Sequence, residues 1–110
     1  MIAVIFEVTP KATGKENYFK IAQSLKEELS CIDGFISVER FQSLINPDTF
    51  LSLSFWRDED AVKEWRNSIQ HQFAQKQGRY DLFSDYRLRV AEVTRDYGMN
   101  DRRQAPADLV

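Results

Sequence analysis

The stretch Leu51-Ser52-Leu53-Ser54-Phe55-Trp56-Arg57-Asp58-Glu59-Asp60, continuing through Ala61-Val62-Lys63-Glu64-Trp65-Arg66 to Gln75, changes its hydrophobic period in mid-course. Over 51–56 large apolar residues alternate with serine, the period of two that marks a strand. From Ala61 the apolar positions fall at Val62, Trp65, Ile69 and Phe73, which is helical spacing. A strand therefore turns straight into a helix. Asp58 stands where it can cap that helix, and Glu59 and Asp60 bring negative charge to the first turn, where unpaired N–H groups and the macrodipole favour it. The same helix carries Trp65 and His71, the one histidine of the chain. A pocket with chemistry is expected beneath it.

Upstream, Asn46-Pro47-Asp48 is turn chemistry, with Pro47 presetting φ and the flanking side chains able to bond the local backbone. It joins the central strand to an earlier one over Phe35 to Ser43, which places Ile36, Val38, Arg40 and Gln42 opposite Phe35, Ser37, Glu39 and Phe41. Before that, Asp33-Gly34 stops a helix running from about Lys15 to Ser30, whose stripe is Tyr18, Ala22, Leu25, Leu29 and Ile32. The chain opens with a strand over residues 2 to 8, Ile2, Val4, Phe6 and Val8 on one side and Ala3 and Ile5 on the other, ended by Pro10. Downstream, Gly78 is a natural left-handed stop, and Tyr86 to Val93 reads as the last strand. The order strand, helix, strand, strand, helix, strand is that of the α+β, ferredoxin-like βαββαβ fold with a four-stranded antiparallel sheet. One domain over residues 1–97 is expected, with a polar tail over 98–110 that is frayed or packed on a partner subunit.

At 110 residues, 43% hydrophobic and 29% charged, the chain suits one globular unit with a real core. A net charge of -2 gives no broad attraction for phosphate backbones, so nucleic acid is not expected as a partner. The first residues lack a basic leader and no apolar run approaches the ~20 residues that cross a bilayer, so neither a signal peptide nor a membrane span is expected. The lone Cys31 rules out an internal disulfide and a cysteine-based zinc cage and fits a reducing cytoplasm. With one histidine, a dedicated metal site is not expected either.

Two helices cover one face of a four-stranded sheet, yet the strands carry large apolar groups on both faces. At about 25 cal/mol per Å2, leaving them wet would forfeit several kcal/mol, comparable to the margin of a small domain. A second copy, sheet against sheet about a two-fold axis, is the simplest cover, so a homodimer is expected.

Four side-chain types could carry chemistry. His71 reads either as a helix-surface or capping residue or as a proton shuttle or ligand contact, since imidazole titrates near neutrality. Trp65 reads as core, with an indole N–H that needs a partner if buried, a partner a ligand could supply. Arg40, Arg87 and Arg89 read as strand residues paired with nearby acids, or as planar donor forks for an anionic or enolate oxygen. Cys31 reads as a small packing residue.

Phe35-Ile36-Ser37-Val38-Glu39-Arg40-Phe41, Leu51 to Trp56, Ala61-Val62-Lys63-Glu64-Trp65-Arg66 and Asp85-Tyr86-Arg87-Leu88-Arg89-Val90-Ala91-Glu92-Val93 together resemble the antibiotic biosynthesis monooxygenase family, over roughly residues 1 to 97. The resemblance implies a dimeric α+β barrel with a pocket between helices and sheet in each subunit. It also implies oxidation of a small aromatic, phenolic or quinol-like substrate by O2 without metal or flavin. A pocket that favours phenolate or enolate gives a carbon electron-rich enough to reduce O2 directly, so placed donors and a proton acceptor suffice. The family's tryptophan falls on Trp65; the polar residue some members carry one turn earlier is Ala61, and the later position of an acidic phenol is His71. A related branch binds and degrades haem, but its axial-histidine position holds Gln75 here, and Phe6 and Glu7 occupy the region of its first-strand asparagine.

The resulting expectation is a cytoplasmic, homodimeric, cofactor-independent monooxygenase. Trp65, Phe55 and Phe73 would wall its site, His71 would move protons, and Arg40 or Arg87 would hold the substrate's anionic oxygen. Two alternatives stand beside it: a haem-binding or haem-degrading protein with His71 as axial ligand, and a non-catalytic dimeric binder of small ligands.

Overall fold

A computed structural model describes residues 1–76 and 83–108, with side chains described outside 69–76. The elements are β1 (Ile2–Pro10), α1 (Lys15–Leu29), β2 (Phe35–Gln42), β3 (Phe50–Trp56), α2 (Glu59–Lys76) and β4 (Phe83–Glu92). All strand pairs are antiparallel and the sheet order is β2-β3-β1-β4, the ferredoxin-like βαββαβ arrangement. The expected stop at Gly78 lies outside the described residues.

Register decides which side chains meet the helices. Val4 lies opposite Ser54 and Val90, and Phe6 opposite Ser52 and Leu88. Even positions of β1 and β3 therefore share the helix-facing side. They feed two clusters. One gathers Val8, Tyr18, Ile21, Leu25, Phe50 and Phe83, with Phe6 and Phe19 against it. The other gathers Ile2, Val4, Leu29, Trp56, Ala61, Val62 and Trp65, with Ile32 and Phe35 against it. Trp56 is fully buried, and its indole N–H donates to Ser54 Oγ at 2.9 Å, which satisfies the one polar atom of the largest core side chain.

In α1 the buried stripe is Tyr18, Ile21, Leu25 and Leu29, while Ala22 is half-buried. Ile21, absent from the stripe expected above, lies three residues after Tyr18 and four before Leu25 and so falls inside an apolar face wider than one row. In β2 the expected alternation breaks at its first step. A register shift between Phe35 and Ser37 leaves Ile36 bulged out and about half exposed. Phe35 thus packs edge-on against Trp56 and joins Val38 and Arg40 on the helix side, because one extra residue reverses the phase of everything before it.

The joint between β2 and α2 is tightly drawn. Gly34 has φ 93°, and a Cβ built there would lie 2.8 Å from the Cβ of Ala61. The Arg57 N–H donates to the Gly34 carbonyl at 2.7 Å. The Arg57 guanidinium forks onto both carboxylate oxygens of Asp33 at 3.2 and 3.1 Å, and its Nε–H reaches Asp58 at 3.0 Å. The other oxygen of Asp58 accepts the Ala61 N–H at 3.0 Å, the expected N-cap.

On the opposite face of the sheet Ala3 and Ile5 adjoin Phe55 and Leu53, with Leu51 beside them and Phe41 of β2 exposed next to Leu51. Charged groups border this patch, including the Arg89–Glu7 pair at 3.0 Å. After β4 the Val93 N–H donates to the Met1 carbonyl at 2.9 Å. The polar segment beyond Gly98 carries bonds of its own: the Gly98 N–H donates to the Asp101 carbonyl at 2.8 Å, and Arg102 lies over the Tyr97 ring. Among the described residues, no helix is long and apolar enough to cross a membrane.

Candidate functional site

Between α1 and the β2–β3 half of the sheet lies a cleft of about 440 Å3. Ligand sites commonly run from about 300 to 1,000 Å3, so the space suits a small cyclic molecule. Tyr18, Ala22, Leu25 and Leu29 of α1 form one wall, Phe6 and Ser52 belong to the sheet beneath, and Trp65 of α2 closes one end. The cleft opens where the two clusters part, because Ala22 and Ser52 present short side chains there. Its main wall is α1, and among the described residues of α2 Trp65 lines it.

The polar groups are few and specific. The Arg40 guanidinium carbon lies 5.7 Å from the ring centroids of both Tyr18 and Phe19, a cation–π seat that fixes the fork at the cleft. Among the described residues Arg40 has no carboxylate partner, whereas Arg89 and Arg103 each have one and Arg57 has two. Tyr18 is only 3% exposed. Burial pushes its hydroxyl pKa up, and the nearby Arg40 charge draws it back only in part. The phenol therefore stays protonated at neutral pH and can donate a hydrogen bond to an oxygen in the cleft. Gln23 and Lys26, both exposed, line the same cleft.

Trp65 and Arg40 are thus brought to one space. Phe55 borders the same cleft, but its place in β3, one residue off from Ser54 and Trp56, turns its side chain toward the Leu51 and Leu53 side. Arg87 pairs by register with Glu7 on that far side and does not line the cleft. The side chains of His71 and Phe73 lie outside the described residues. Tyr18 was read from sequence only as part of a core stripe. The signal that singles it out is chemical, a hydroxyl in an otherwise aliphatic row, which must find a partner once buried. Among the described residues, no group of three or more His, Cys, Asp and Glu side chains could hold a metal ion.

The model of the antibiotic biosynthesis monooxygenase family matches residues 1–77. The chain belongs to that family. A jasmonate monooxygenase ABM from Pyricularia oryzae is 46% identical over 101 residues, which cover 92% of this chain and 47% of the relative. The chain thus spans about half the length of that relative. The uncharacterized protein YqjZ of Bacillus subtilis is 30% identical over 93 residues, 84% of this chain and 79% of that protein. Among solved structures, Rv0793 from Mycobacterium tuberculosis superposes with a TM-score of 0.75 at 16% identity, covering 88% of this chain and 98% of the other, a likeness of fold. In this antibiotic biosynthesis monooxygenase fold, the conspicuous groups at the cleft are an indole, a protonated phenol and a guanidinium with no carboxylate partner among the described residues.

Proposed function

We propose that the chain is a homodimeric monooxygenase that oxidises a small aromatic, phenolic or quinol-like molecule with O2 in the α1–sheet cleft, with no bound cofactor. The observation that carries this reading is the cleft of about 440 Å3 in which Trp65, buried Tyr18 and Arg40 converge. Family membership supports oxygen chemistry, and the name of the Pyricularia oryzae relative adds jasmonate to the compounds that merit assay.

An activated CH2 beside a carbonyl or on a phenolic ring loses a proton, and the negative charge moves to oxygen. Donors aimed at that oxygen lower the cost of the anion, a role open to the buried Tyr18 hydroxyl. The resulting electron-rich carbon transfers an electron to O2, and the two radicals join through a C–O bond. Loss of the second proton with O–O cleavage leaves a carbonyl and releases water. One oxygen atom enters the product, the other leaves as water, and the substrate supplies all four electrons. Trp65 supplies a flat apolar wall, and His71 is assigned the proton transfer.

The dimer rests on the uncovered sheet face. Ile5, Leu51, Leu53, Phe55 and Phe41 stay partly exposed there. Covering their remaining surface is worth about 1 kcal/mol each, about 5 kcal/mol per subunit. A two-fold partner presents the same patch to itself. An exposed free thiol at Cys31 suits a reducing compartment such as the cytoplasm.

The haem alternative has His71 as its axial ligand, a side chain outside the described residues. Haemin titration decides it: a Soret shift abolished by His71→Ala supports haem binding, and no such shift removes it. Oxygen uptake with anthrones, quinols and jasmonate tests the main reading. Turnover that falls at least tenfold in Trp65→Ala supports it, while no consumption of O2 with any of them by the folded dimer leaves the non-catalytic binder.

A further inference from the structure

The polar end of the cleft has a chemistry that the oxidation itself does not require. Arg40 is solvent-exposed although its guanidinium is seated over two rings. An exposed guanidinium is a weak stabiliser of charge that appears only at a transition state, because water already screens it. It is a good receptor for a formal anion brought in by the ligand, since its planar fork matches a carboxylate and is positioned before binding. The one acidic side chain among the described lining residues, Glu39, lies in β2 between Val38 and Arg40 and pairs by register with Leu53. That places it on the side of the sheet away from the helices. It leaves the fork uncompensated. Behind the rim the cleft becomes apolar, through Ala22, Leu25, Leu29 and Trp65.

We infer that Arg40 forms a carboxylate subsite, and that the natural ligand is a small organic acid whose cyclic apolar body lies toward Trp65. This rests on the reading of the cleft as the substrate site. It adds that the ligand arrives ionised and is oriented by its acid group, leaving its far end beside Trp65.

The test uses two probes of nearly equal shape, 1-naphthaleneacetate and its neutral amide, titrated calorimetrically into the intact dimer. The acid is expected to bind at least tenfold more tightly than the amide, with an affinity that falls as salt rises. Arg40→Gln should bring the ratio close to one by weakening the acid far more than the amide. Arg40→Lys, which keeps charge and loses the fork, should fall between. Melting curves of both variants check that they remain folded. Equal binding of acid and amide by the unaltered protein overturns the subsite and leaves the cleft reading intact. Binding of neither probe removes both. An acid preference that survives Arg40→Gln assigns the anion to another group and overturns the role of Arg40.

Discussion

Replacing Gly34 with alanine attacks the joint that seats α2 on the sheet, and its cost can be worked from two terms. A residue with a Cβ held at φ 93° pays about 1–2 kcal/mol for the left-handed conformation. The new methyl would also lie 2.8 Å from the Cβ of Ala61. Ala61 has no flexible side chain to turn aside, so backbone must move, at a further cost of about 1–3 kcal/mol. The sum, about 2–5 kcal/mol, is a large part of a small domain's stability and should lower Tm by roughly 8–20 °C for a chain of this size. Urea and thermal melts measure it, with Gly98→Ala as the control, since nothing lies within 4 Å of a Cβ at Gly98. Ala61→Gly separates the two terms. In that background the contact is gone and Gly34→Ala should cost only the conformational part, giving a coupling of about 1–3 kcal/mol in the double-mutant cycle. An unaltered melting point, or an equal cost in both backgrounds, would refute the reasoning.

Hydrogen bonds from Arg57 hold the Asp33 carboxyl below its usual range, and the Ala61 N–H, followed by Arg57, does the same for Asp58. Carboxyls depressed in the folded state stabilise it above their unfolded pKa, near 4, and that contribution is lost as pH falls through the lower folded values. Melting temperature should therefore drop more steeply below about pH 4 in the unaltered protein than in Arg57→Gln, and parallel curves would contradict this. Trp56→Ala removes a fully buried indole and should cost about 3–5 kcal/mol by urea titration. Leu53→Glu places charge in the centre of the proposed two-fold contact and should halve the mass seen by sedimentation equilibrium while the subunit stays folded.

The fold was legible because one stretch announces its own change of period. Alternation through Trp56, the Asp58 cap and helical spacing from Ala61 fix a strand–helix junction, and the flanking segments complete the order of elements. What local pattern could not carry was anything set by contact between distant segments. The bulge at Ile36 depends on pairing with Phe55 and Trp56, so simple alternation put Phe35 on the wrong side. Gly34 reads from sequence as a stop, but its close approach to Ala61 is visible only once α2 is docked. Arg40 and Trp65 were recognisable as residue types worth watching. The cleft they share was not, because it depends on Ala22 of α1 and Ser52 of β3 lining one space, two short side chains with no signal of their own.

The division of the interior into two clusters gives any guest a mechanical role. Tyr18 and Leu25 belong to one cluster, Leu29 and Trp65 to the other, and all four border the cleft. A molecule lodged there would touch both halves and add cohesion between them, so that α1 and α2 open together instead of separately. At a hundredfold excess over Kd such a molecule raises global stability by about 2.7 kcal/mol. Amide protons along α1 should then exchange more slowly, with the protection spreading to the Trp56 half of the interior, which the guest reaches through Leu29 and Trp65.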